Sequence, residues 1–153
     1  MKKNLILYSC LALLLGACKK NHDDSSSSPN TWTFYGNTYQ ATTVTYLSYG
    51  NLTAASSGAT SSILMFDFPS PPTISGEMLI TDSGDPNTVK ITVSVMTPAI
   101  GASTMYISGK TNVKANVTVN GKVSVSFPGS IWVHNWTNYS DSTQLSAGAI
   151  TQQ

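Results

Sequence analysis

The sequence predicts an all-β domain, an antiparallel β-sandwich with a barrel as the alternative, of about nine or ten strands. Three observations predict it. Val89, Ile91, Val93 and Val95 alternate with Lys90, Thr92, Ser94 and Met96, the period of a half-buried strand. Turn pairs such as Gly36-Asn37 and Asn120-Gly121 punctuate segments of this kind at fairly regular spacing. Ser, Thr, Asn and Gly dominate the polar positions while Val, Tyr and Ile supply much of the apolar set, a balance that favours strands over helices.

The first strand runs from Thr31 to Tyr35 and leads into Gly36-Asn37, read as a two-residue turn. Pairing Tyr35 with Thr38 then sets Phe34 against Tyr39 and Trp32 against Ala41, so apolar residues share one face. The return strand is expected to run on towards Tyr46. Ser62 to Phe68 is nearly continuous in apolar residues, as a central strand would be, and Pro69, Pro71 and Pro72 end it. Glu77 to Thr81 follows, joined to the Val89 strand by the turn-rich Asp82-Ser83-Gly84-Asp85-Pro86-Asn87. Thr104 to Ser108, Ser130 to Asn135 and Thr143 to Thr151 complete the set.

At Asn120-Gly121 two rules compete. A two-residue turn pairs Val119 with Lys122 and Val117 with Ser124, apolar against polar. A three-residue loop, Val119-Asn120-Gly121, sets Val117 against Val123, Ala115 against Val125 and Val113 against Phe127, with Gly121 left-handed. The alternation predicts the odd loop. It also predicts that Val89, Ile91, Val93, Val95, Val117, Val123, Val125 and Phe127 are buried, and Lys90, Lys114 and Lys122 exposed.

Ahead of this domain the chain divides differently. Lys2 and Lys3 precede an apolar stretch from Leu5 to Leu15, interrupted by Ser9, and small residues follow. This is the form of a secretory signal, too short for a spanning helix of about 20 apolar residues. Lys19 to Asn30 holds charges, four serines and Pro29, with no apolar residue to bury, and reads as a flexible tether. The expected divisions are residues 1–17, signal; 18–30, Cys18 and tether; 31–153, the β domain. Of the two cysteines, Cys10 lies in the signal, so the exported domain has no thiol for a disulfide or zinc site beyond Cys18.

Leu15-Gly16-Ala17-Cys18 resembles the lipobox of bacterial lipoproteins. The resemblance implies cleavage before Cys18, acylation of that cysteine with diacylglycerol and a fatty acid such as palmitate, and membrane attachment. One chain binds a membrane only marginally, so several on one residue make the attachment durable. Cysteine followed by polar and then acidic residues resembles the surface-export signals of Bacteroidota lipoproteins. Trp32-Thr33-Phe34-Tyr35-Gly36-Asn37-Thr38-Tyr39-Gln40-Ala41, the Asn120-Gly121 hairpin and Leu145-Ser146-Ala147-Gly148 resemble strands of small uncharacterised lipoproteins of that group. These resemblances imply an outer-membrane anchor and a β-sandwich, and transfer no activity.

Removal of residues 1–17 takes two of the eight lysines and none of the seven acids, so the net charge is about −1 (six minus seven). No arginine is present, and without clustered basic residues nucleic acid is not an expected partner. Catalysis is not expected either. His134 is the one histidine beyond residue 30, no Gly-x-Ser-x-Gly pattern marks a nucleophile, and a hydrolase is a distant alternative. Asp82, Asp85 and Asn87 share a turn, an ordinary use of these residues, and no metal or cofactor is expected. Asp141-Ser142-Thr143 resembles a Bacteroidota O-glycosylation acceptor. The most suggestive stretch is Ile131-Trp132-Val133-His134-Asn135-Trp136 with Tyr139. On a strand Trp132, His134 and Trp136 share a face. If exposed, they offer flat π-faces to sugar rings; if buried, they are core. The sequence therefore points to a non-enzymatic envelope lipoprotein, structural or binding, with glycan binding through Trp132, His134, Trp136 and Tyr139 as the alternative.

Overall fold

The computed structural model of the chain describes residues 29–96 and 103–153; the expected signal peptide, Cys18 and all of the tether but Pro29 and Asn30 lie outside the described residues. The described residues contain thirteen strands and no helix. In chain order these are β1 (Thr31–Phe34), β2 (Asn37–Gln40), β3 (Thr43–Leu47), β4 (Asn51–Ala55), β5 (Ser61–Asp67), β6 (Gly76–Ile80) and β7 (Thr88–Met96). They continue as β8 (Ser103–Ser108), β9 (Lys114–Val119), β10 (Val123–Ser126), β11 (Ser130–Asn135), β12 (Ser142–Ala147) and β13 (Ile150–Thr151).

One ladder runs β3-β4-β5-β7-β8-β11-β12-β1-β2, and a second runs β13-β10-β9-β6. They join at the start of β7, where β6 pairs in parallel at Leu79–Thr88 and Ile80–Val89. That is the one parallel pairing among the described strands, so the sheet is mixed and does not close into a barrel. Inward side chains of both ladders form one cluster. Trp32, Phe34, Leu52, Leu64, Phe66, Ile91, Val93 and Leu145 come from the long ladder, and Ala115, Val117, Val125 and Ile150 from the short one. This is sandwich-like: each ladder buries one face against the other.

The count exceeds expectation because two breaks and one strand were invisible to pattern. The strand expected from Tyr39 to Tyr46 breaks at Ala41-Thr42, where the Ala41 amide turns to the Asn30 carbonyl and the Thr42 amide to Ala55. The expected Thr143–Thr151 strand breaks at Gly148-Ala149, where the chain leaves one ladder for the other. Strand β4 was missed, because its buried face consists of Leu52 and Ala54 alone and carries little strand signal. Asn30, expected in the tether, is docked. Its amide donates to Ala149, its carbonyl accepts from Ala41, and its Oδ1 accepts from the Thr151 amide.

Both hairpin registers differ from expectation by two residues. In the first, Trp32 opposes Tyr39 and Phe34 opposes Asn37, not Tyr39. The turn is Tyr35-Gly36, with φ of 49° and 71°, rather than Gly36-Asn37. The shift lets the Trp32 and Tyr39 rings stack, with centroids 5.7 Å apart. In the second, Val119 opposes Val123 and Val117 opposes Val125, around the loop Asn120-Gly121-Lys122. The odd loop and the left-handed Gly121 (φ 67°) are as expected; the pairing of Val117 with Val123 is not. The observed register pairs Val119 with Val123 and Val117 with Val125, apolar with apolar as in the expected one.

Of the expected core, Val89, Ile91, Val93, Val117, Val123, Val125 and Phe127 are buried, while Val95 is half-buried at the end of β7. Lys114 and Lys122 are exposed. Lys90 is half-buried, because it lies beside Asp67 across β5–β7, with Nζ 3.4 Å from Oδ2. Strand β5 is central, between β4 and β7, yet only Ser62, Leu64 and Phe66 point inward, and Ile63 on its other face is exposed.

Candidate functional site

Strand β11 sits between β8 and β12, so its backbone is fixed on both sides. Ile131 and Val133 enter the core; Trp132 and His134 therefore point outward. The ladder continues past β11, since the Trp136 amide donates to the Met105 carbonyl of β8 at 3.0 Å. This keeps Trp136 in step with Trp132 and His134. Trp132 and Trp136 are each 54% exposed and Tyr139 is 61% exposed. Tyr139 comes back from the β11–β12 turn to stack on His134, centroids 6.2 Å apart and planes 24° from parallel. The four residues expected to form a site thus lie together, with His134 half-buried among exposed aromatics.

The turn that carries Tyr139 is held by Asn135. Its Oδ1 accepts from the amide and the hydroxyl of Thr137, and its carbonyl accepts from the Asn138 amide. The Asn135 amide in turn donates to the Asp141 carbonyl at 2.8 Å. The turn is therefore held by backbone and short polar side chains as well as by the Tyr139–His134 stack. Around it the ladder partners are uncharged. Gln144 opposes Trp132, Ser142 opposes His134 and Ile107 opposes His134 on the other side, with Ser130 and Ser146 one step along. The outward face continues over β8, β7 and β5 through exposed Met105, Met96 and Ile63. His134 Nδ1 is buried without a hydrogen-bond partner among the described residues.

The turn carrying Asp82, Asp85 and Asn87 is closed internally: the Asp85 carbonyl accepts both the amide and the hydroxyl of Thr88. Among the described residues no three His, Cys, Asp or Glu side chains group as metal ligands.

A second constellation was not foreseen. Tyr106 of β8, Asn135 at the end of β11, Asp141 before β12 and Tyr35 in the β1–β2 turn belong to four successive strands of the ladder and meet at one end of it. Asp141 Oδ1 accepts from Tyr35 Oη at 2.6 Å. Its Oδ2 accepts from Tyr106 Oη at 2.7 Å and from Asn135 Nδ2 at 3.0 Å. The Tyr35, Tyr106 and Asn135 donors, in that order, hold the Asp141 carboxyl below its ordinary range. Loss of solvent around the hydroxyl, and then the bond to Asp141, push the Tyr35 phenol up; loss of solvent does the same for Tyr106. The carboxylate thus stays ionised and the phenols keep their protons. The sequence signal for this cluster was one bulky residue directly before Gly36, in a turn that tertiary contacts force to positive φ. No local rule ties it to Asp141.

No family model, curated protein or solved structure matches the chain.

Proposed function

We propose that the chain is a non-enzymatic envelope lipoprotein, anchored at the outer membrane through lipid on Cys18, that binds a neutral glycan on the outer face of β11. The carrying observation is the exposure of Trp132 on a strand that is hydrogen-bonded on both sides, and of Trp136 and Tyr139 in the segment that follows it. These large aromatics are left half in water beside uncharged ladder partners, and clustered exposed apolar surface marks interaction sites. A π-face suits the apolar face of a sugar ring, while Gln144, Ser130 and Ser142 beside it can bond ring hydroxyls. The absence of charge at the ladder partners favours a neutral saccharide over an acidic one. This exposure favours binding over a purely structural role.

A glycan array probed with the purified full chain tests the reading. A bound neutral oligosaccharide is expected, with Trp132→Ala and Trp136→Ala each weakening it at least tenfold, on the scale of an aromatic hot spot of about 2 kcal/mol or more. Melting temperatures should stay near wild type, because neither side chain is in the core. Equal retention by wild type and both variants, or no retained glycan at all, removes the proposal.

Anchoring is tested separately by metabolic labelling with a fatty-acid probe. Cys18→Ala should abolish the label and move the protein to the soluble fraction. Undiminished labelling of Cys18→Ala would show that Leu15-Gly16-Ala17-Cys18 is not a lipidation signal.

A further inference from the structure

The Tyr35–Tyr106–Asp141 cluster has one proton fewer than its contacts call for. Three oxygen pairs close a ring: Tyr35 with Asp141 at 2.6 Å, Tyr106 with Asp141 at 2.7 Å, and Tyr35 with Tyr106 at 2.9 Å. With the carboxylate ionised, only the two phenol protons can serve them. Bonds from O–H to a carboxylate are short, about 2.5–2.7 Å, and the two contacts to Asp141 have that length. Both protons therefore lie towards Asp141. The longest contact sets the two phenol oxygens 2.9 Å apart, and either hydroxyl can donate across it only by turning from Asp141. Together they form a converging acceptor pair backed by a negative charge.

Three further observations point to an occupant. Among the described residues the ion pairs are Lys90–Asp67 and Lys114–Glu77, and neither involves Asp141. The Tyr35 and Tyr106 rings line a pocket of about 280 Å³ whose apolar walls include Phe34, Tyr39 and Val95. Tyr35 holds φ of 49°, an outlier for a bulky residue, although Gly36-Asn37 directly after it would turn without that strain. Strain of this kind persists where surrounding contacts over-determine it, and it gathers at ligand sites. The turn that stacks Trp32 on Tyr39 carries the Tyr35 hydroxyl to Asp141.

We propose that this end of the ladder binds a small organic cation, an alkyl- or aralkylammonium, whose N–H groups bridge the Tyr35 and Tyr106 oxygens. Asp141 supplies the counter-charge through the two phenols. The aromatic rings offer their faces to the cation, and the apolar body of the ligand enters between Phe34, Tyr39 and Val95. The site is on the inward side of β8 and β11, opposite the outer platform, and shares with it the Asn135–Asp141 contacts that hold the turn.

Benzylammonium, with benzyl alcohol as its uncharged counterpart, is titrated into the purified full chain at neutral pH and followed through backbone amide NMR shifts. Saturable shifts are expected at Tyr35, Gly36, Tyr106 and Asp141 with benzylammonium. Benzyl alcohol, and the Tyr35→Phe and Asp141→Asn variants with benzylammonium, should each bind at least tenfold more weakly. Tyr35→Asn guards against loss of fold: asparagine tolerates the left-handed turn, so this variant should keep a native spectrum and lose the ligand. If Asp141→Asn unfolds, the two Tyr35 variants decide. No saturable shift in the wild type, equal binding of the alcohol, or undiminished binding by Tyr35→Phe overturns the proposal.

Discussion

Trp32→Ala is expected to lower the stability of the domain by about 3–5 kcal/mol, the range for truncating a buried large aromatic. Trp32 is 1% exposed and stacks on Tyr39 of the neighbouring strand. Its Nε1 donates to Ser62 Oγ at 3.0 Å, a bond between β1 and β5 across the core. Truncation removes ring contacts and leaves Ser62, itself 1% exposed, without that donor. An orphaned buried hydroxyl costs about 1–3 kcal/mol, which places the expected loss towards the top of the range. Against a typical total of about 5–15 kcal/mol, the variant would be close to unfolding. Urea melts of wild type, Trp32→Ala and Trp32→Phe measure it. Trp32→Phe keeps most of the ring and drops the donor, so it should lose clearly less. A loss below about 1 kcal/mol for Trp32→Ala would show that this side chain does not span the core.

Phe127→Ala should cost about 3 kcal/mol, the low end of the same range. Phe127 follows β10 on its inward face and is 5% exposed, so the apolar transfer loss is nearly complete. The cavity contribution is smaller than for Trp32. Phe127 lines an open groove with Pro128, Gly129 and Ala149, and the space left by truncation can relax or take up water there. Denaturant melts check this too. Equal losses for the two variants would mean that the groove is closed in solution; a Phe127→Ala loss under about 1 kcal/mol would place the ring on the outer face.

The sequence alone determined which residues point inward. Val89, Ile91, Val93, Val117, Val123 and Val125 were readable because side chains alternate with a period of two and one face must leave water. The same period set the parity of both hairpins, so an even slip was the only error open to it. A shift of two residues keeps every side chain on its face, and the pattern is blind to it. Packing decided the register of the first hairpin, through the Trp32–Tyr39 stack. The aromatic candidates on β11 were legible for the same reason as the core, since Trp132, His134 and Trp136 share parity. Their exposure was not, because alternation says which residues share a face and not whether that face is covered. Strand neighbours were beyond pattern altogether: Tyr35 and Asp141 meet across 106 positions, and Tyr106 and Asp141 across 35. Only the order of strands brings them together, and that order follows from how two ladders bury one core, which no local stretch of sequence encodes.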